Sequence, residues 1–137
     1  MGLLKRNIDP YDTFLFRSAA RPIYETADGH IGLIDWQVLQ RGHWSVDVAY
    51  HIAAALDIED RRSSERELLL YYLERLATHG GDAVPFDAAW RYYCEALPYG
   101  LMMWGITQRV EPAIVNRFVT RLGTAVMDHG SLDLLGV

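Results

Sequence analysis

Two carboxylates carry most of the chemistry this sequence can offer. They lie in the stretch DGHIGLIDWQVLQRGHWSVDVAYHI, residues 28–52. Asp35 follows the β-type apolar pair Leu33-Ile34, and Asp47 comes twelve positions later, where a helical pattern begins. A strand that ends in an acid fixes the backbone and presents the carboxylate to a cleft. Magnesium favours carboxylates together with phosphate oxygens and water. Asp35 also reads as an acid that caps a turn. Asp47 reads either as a helix cap or as an acceptor for the backbone of a neighbouring loop.

Other chemistries find less support. The histidines His30, His43, His51, His79 and His129 form no His-x-x-x-His pair and no His/Cys cluster, so a zinc site is not expected. His51 reads as a packed or partly exposed helix residue. The string HGGD at 79–82 follows a helix end and reads as a loop. Neither G-x-G-x-x-G nor G-x-x-x-x-G-K-[ST] is present. Cys94, flanked by Tyr92, Tyr93 and Ala96, reads as a buried structural thiol. The aromatic residues from Trp90 to Trp104 read as core, because no basic groove accompanies them.

The elements that must position these groups follow from periodicity. Residues 1–22 give no regular pattern. Asp28-Gly29 is a hairpin signal, with Ile23-Tyr24 before it and Ile31–Ile34 after it. A helix is expected from Ser45, with Val48, Ala49, Ile52, Ala53 and Leu56 inward and Ser45 or Asp47 as cap. A second is expected from Ser64, with Ser64 and Glu67 as a capping box and Gly80-Gly81 as its end. A third runs from about Asp87 to Trp104, and Pro98 should kink or split it. A fourth starts at Glu111-Pro112 and ends near Gly130.

Bulk properties narrow the classes. With 137 residues, half of them apolar, the chain suits one folded domain. A net charge of −5 argues against a general nucleic-acid binder. One cysteine excludes an internal disulfide and suits a reducing, cytoplasmic compartment. The start lacks a signal-peptide core, and Arg6 breaks a myristoylation motif. The longest apolar run, Leu97–Ile106, contains Pro98 and is too short to span a membrane.

The segments DG, GLIDWQ and RGHWSVDVAYHIAAAL together resemble the aminoglycoside phosphotransferase-like kinases. RELLLYYLERLATHGG and FDAAWRYYCEALPYGLMMW look like the helical substrate-binding part of that family. The resemblance covers the chain from about Ile23 onward. It implies an α+β, mostly α fold: the C-terminal lobe of a protein-kinase-like fold, a short β-hairpin and about four helices, without an N-lobe. It divides the chain into an irregular segment, 1–22, and a partial phosphotransferase lobe, 23–137.

It also implies transfer of the ATP γ-phosphoryl group to a small hydroxyl-bearing substrate, with Mg²⁺ and ATP as cofactors. Asp35 is then the magnesium and nucleotide aspartate. Asp47, Gly42 and Trp36 would support the site. The family's H-G-D-x-H-x-x-N loop would fall on LFRSAARP, residues 15–22. Arg17 then stands at the catalytic aspartate and Pro22 at the metal-binding asparagine, and neither side chain can do that work. The expectation is a truncated member without activity of its own. The alternative is a catalytically dead domain that binds a small molecule or a protein, or self-associates through the face an N-lobe would cover.

Overall fold

The computed structural model describes residues 23–33 and 42–137. The chain divides into two compact units, Met1–Gly42 and His43–Val137. The irregular reading of residues 1–22 lies outside the described residues.

In the first unit, strands β1 (Ile23–Glu25) and β2 (Ile31–Leu33) pair antiparallel, Ile23 opposite Leu33 and Glu25 opposite Ile31. Gly29 takes φ +84° in the turn between them, a conformation that glycine alone adopts without a Cβ penalty. The Thr26 side chain receives the His30 amide at 3.0 Å and closes the turn.

The second unit is helical throughout. It contains α1 (Trp44–Ala55), α2 (Ile58–Thr78), α3 (Phe86–Gly105), α4 (Pro112–Asp128) and α5 (Ser131–Leu135). The expected α+β fold class, a kinase-like lobe opening on a hairpin, is therefore corrected: the described residues are mostly helical, and helices alone build their buried core. Every residue of the described hydrophobic core belongs to α1, α2, α3 or α4. A two-stranded ribbon is marginal in water, and among the described residues no third strand joins this one. The expected count of about four helices also misses the one-turn α5.

Helix α3 is the axis of the unit and packs against each of the other four helices. Its inward stripe is Ala89, Tyr93, Leu97, Gly100 and Trp104, steps of three and four that keep one face inward. Pro98 does not split it: the helix is continuous from Phe86 to Gly105. Proline removes one donor, the one the Cys94 carbonyl would accept, and burial of Leu97 and Gly100 on either side holds the turn.

Gly100 marks the tightest crossing. A Cβ there would stand 2.8 Å from Tyr50 Cδ2 of α1 and 2.9 Å from Leu122 Cδ2 of α4. The Tyr50 ring is anchored, since its hydroxyl accepts from Trp104 Nε1 at 2.8 Å. Trp104 in turn stacks on Phe118, with ring centroids 4.1 Å apart.

Three helix starts and ends follow specific chemistry. α2 begins at Ile58, not at Ser64, and Glu59 and Asp60 stand in its first turn, where the helix dipole favours acids. Ser64 is mid-helix, and its hydroxyl donates back to the Asp60 carbonyl at 2.5 Å, so the expected capping box does not form. α2 ends at Thr78 with Gly80 at φ +83°, and α4 begins with Pro112 in its first turn, both as the sequence predicts. The corner between α1 and α2 is tied to α4 by buried Arg121, which donates to the Ala54 carbonyl at 3.0 Å and to Asp57 Oδ1 at 2.5 Å. One of the unpaired carbonyls at the end of α1 is satisfied in this way.

Gly100→Ala tests the crossing. Overpacking a tight contact costs about 1–3 kcal/mol, and alanine returns about 1 kcal/mol of helix propensity. We expect a net loss of about 1 kcal/mol in urea unfolding. A more stable variant would show that Tyr50 is free to swing aside.

Candidate functional site

Asp35 and Trp36 lie outside the described residues, as do Arg17 and Pro22. Gly42 is exposed and precedes the helical unit, with open space where a Cβ would stand. Asp47 is exposed in the first turn of α1. Its carboxylate there matches the positive end of the helix dipole. The cap of α1 is not Ser45 or Asp47 but His43, whose Nδ1 accepts from the Ser45 amide at 3.3 Å and lies 2.8 Å from Ser45 Oγ. Serine is one position too late: it stands inside the helix, buried, where its own amide needs the acceptor.

An aromatic wall surrounds this helix start. His43 meets Trp44 at 5.2 Å and the edge of Tyr92 at 4.9 Å, and Trp44 meets Tyr72 at 5.4 Å between ring centroids. Partial burial, and then the charge of Asp47, push the Tyr72 hydroxyl above its ordinary range. His51, one turn on, lies 2.8 Å through Nδ1 from the Asp47 carbonyl. Among the described residues no group of three His, Cys, Asp or Glu side chains could hold a metal ion.

Among the described residues, a dense cluster of titratable groups lies elsewhere, and sequence reasoning missed it. Arg61, 1% exposed, and Glu65, 5% exposed, stand one turn apart at the start of α2. Arg61 donates to Glu65 Oε2 at 2.7 Å and also bonds Asp128 at the end of α4. Tyr93 of α3 donates to the same Glu65 oxygen at 3.0 Å, and His129 Nε2 stands 3.0 Å from the other. Arg62 grips Asp128 with two bonds, at 2.8 and 2.9 Å. The edge of the His129 ring meets Trp90, and Arg66 lies 4.2 Å over the face of Trp90.

The electrostatics of this cluster favour a tightly held ion-pair network. Burial pushes Glu65 towards neutrality, but hydrogen bonds to His129 and Arg61 outweigh it and hold the carboxyl below its usual range. Burial and then Glu65 drive the Tyr93 hydroxyl far upward, so it stays a donor. Burial, with Glu65 nearby, pushes the Cys94 thiol up to about 11. A thiol so far from thiolate is unreactive at neutral pH. Hydrogen bonds from Arg62, against a smaller effect of burial, pull Asp128 down to about 2. The legible signal was the Arg-x-x-x-Glu spacing of 61 and 65, which places both on one helix face. It lies in a run so rich in charge that it reads as surface.

Arg61→Met should strand Glu65 in the interior and cost about 3–5 kcal/mol, measured by urea unfolding. Replacing Glu65 as well, by leucine, should restore most of that, because the stranded charge is gone. A second measurement isolates Asp128. Its folded value, about 2, lies below the ordinary 3.8. Its contribution is therefore full above pH 3.8 and lost as the pH falls towards 2. The slope of stability against pH in that window should flatten in Asp128→Asn.

No described helix is long and apolar enough to cross a membrane. No family model matches the chain, and neither a curated protein nor a solved structure matches it significantly.

Proposed function

We propose that this chain is a portion of a small-molecule kinase of the aminoglycoside phosphotransferase-like family and transfers no phosphate by itself. The observation that carries the reading is the run GLIDWQ at 32–37, followed twelve residues after Asp35 by Asp47 in the first turn of α1. In that reading Asp35 is the magnesium ligand for an ATP-dependent transfer to a small hydroxyl-bearing substrate. Asp47, Gly42 and Trp36 support it. The same register puts Arg17 and Pro22 where a base and a second metal ligand are required. A guanidinium accepts no proton from a hydroxyl, and proline has no ligating side chain. The single cysteine suits a reducing, cytoplasmic compartment.

A second reading is favoured by the outer face of α3. Tyr99, Met102, Met103 and Ile106 follow helical spacing and are all exposed. Exposed apolar patches of this kind mark interaction surfaces, which suits a catalytically silent module that binds a protein or a second copy.

Thermal unfolding with and without Mg-ATP tests the first reading. A ligand bound only by the native state raises the melting temperature. We expect a rise in the wild type that Asp35→Ala abolishes, and no phosphorylated product from a panel of small hydroxyl compounds. Absence of any rise would remove Asp35 as a ligand. Product formation that Asp35→Ala abolishes would overturn the inactivity. A dimer by light scattering that ignores Mg-ATP would favour the second reading.

A further inference from the structure

We propose that two copies of this chain associate through α3 and α5, the exposed face of α3 in each copy receiving α5 of the other. This dimer takes the α3 face as an interaction surface, as in the second reading, and supplies its partner. The first face is Tyr99, Met102, Met103 and Ile106, all exposed at helical spacing. The second is α5 with the residues after it. This short helix is inside out: Ser131 is fully buried, while Leu132, Leu134, Leu135 and Val137 are exposed. A surface helix ordinarily turns its apolar side inward. Leu132 and Leu135, three positions apart, stand side by side on one turn.

One copy cannot cover its own face. α5 packs on α3 and begins just after His129, whose ring meets Trp90 and Tyr93 in the early half of α3. Tyr99 lies nine residues beyond Trp90, about 13 Å along the helix axis, and Ile106 lies further still. Two copies whose α3 helices run antiparallel bring the late half of each α3 beside the early half of the other, where α5 sits. Both contacts then form at once, and the assembly closes as a two-fold dimer. Area favours this over a single contact. One apolar face offers roughly 300–600 Å², short of the roughly 800 Å² per partner of a stable interface. Using both faces of each copy doubles the area and reaches that range. Charge agrees. Arg109, three residues past Ile106, and Asp133, among the leucines of α5, are exposed and have no ion-pair partner among the described residues. They carry opposite signs, so the pairing that joins the apolar side chains also joins an acid to a base.

Sedimentation of the full chain over a dilution series tests the pairing. The wild type should pass from monomer to dimer as its concentration rises. Ile106→Glu and Leu135→Glu each put a charge into a buried contact and should leave monomer. Both side chains are exposed in the single copy, and an unchanged circular-dichroism melt confirms that each variant folds. Arg109→Glu alone and Asp133→Arg alone set like charges against one another and should weaken the dimer on the order of tenfold. The double variant R109E/D133R exchanges the signs and should recover most of the loss, which a contact elsewhere on the molecule would not do. A wild type that stays monomeric throughout overturns the proposal and leaves the α3 face to a different protein. A dimer that Ile106→Glu breaks and Leu135→Glu does not also overturns it: α3 is then an interface, but α5 is not its partner. A charge exchange that recovers nothing removes the pairing in the same way. A dimer that both glutamate variants leave intact removes the α3 face as an interface, and the second reading falls with it.

Discussion

A carboxylate buried among helices sets the terms for the rest of the helical unit. Glu65 is removed from water by α2, α3 and the end of α4, and an interior charge survives only where partners surround it. Those partners come from three places in the chain. Arg61 is one turn back on α2, Tyr93 is on α3, and His129 closes α4. Each contact is directional, so together they fix the axial position of α2 against α3 and of both against α4. Apolar burial is less directional than hydrogen bonds to a single carboxylate.

The apolar half of the unit is organised at the other end of α3. Gly100 lets α1 and α4 approach the same turn, and the Trp104–Phe118 stack with the Trp104–Tyr50 bond closes the space behind it. The two halves share α3, with Tyr93 in the polar lock and Trp104 in the aromatic one, eleven residues apart. Three turns of helix therefore carry both constraints. This explains why Pro98, which falls between them, leaves the helix whole: both ends of the affected turn are held by side-chain packing rather than by the missing backbone bond.

Sequence reasoning found the elements that depend on local chemistry and missed those that depend on distant partners. Pro112 and Gly80 act within one turn of their own position, so the start of α4 and the end of α2 were legible. The start of α2 was not. Asp57 makes no side-chain cap of its own helix; its carboxylate goes to Arg121, sixty-four positions away. Ser64 and Glu67 fit a capping box, but Arg61 and Glu65 belong to the helix interior because of residues 93, 128 and 129. No local window contains that information. The fold class failed for a related reason. With three residues per strand, the helices form the whole described core.

The candidate site shows the same division in a sharper form. Asp47 was legible as a helix-start carboxylate because dipole and position agree. The residue that closes its turn was not, because histidine is a poor statistical cap. It serves here through its neighbours. Tyr92 packs its edge against the ring, Trp44 flanks it, and Ser45 offers both an amide and a hydroxyl to one nitrogen. An asparagine would accept the same amide but would bring no ring to meet Tyr92 and Trp44. The histidine thus joins two tasks, capping a helix and joining an aromatic wall. The cap fixes the first turn, which carries Asp47, and the ring contacts fix the imidazole that supplies the cap, so neither task is separable from the other.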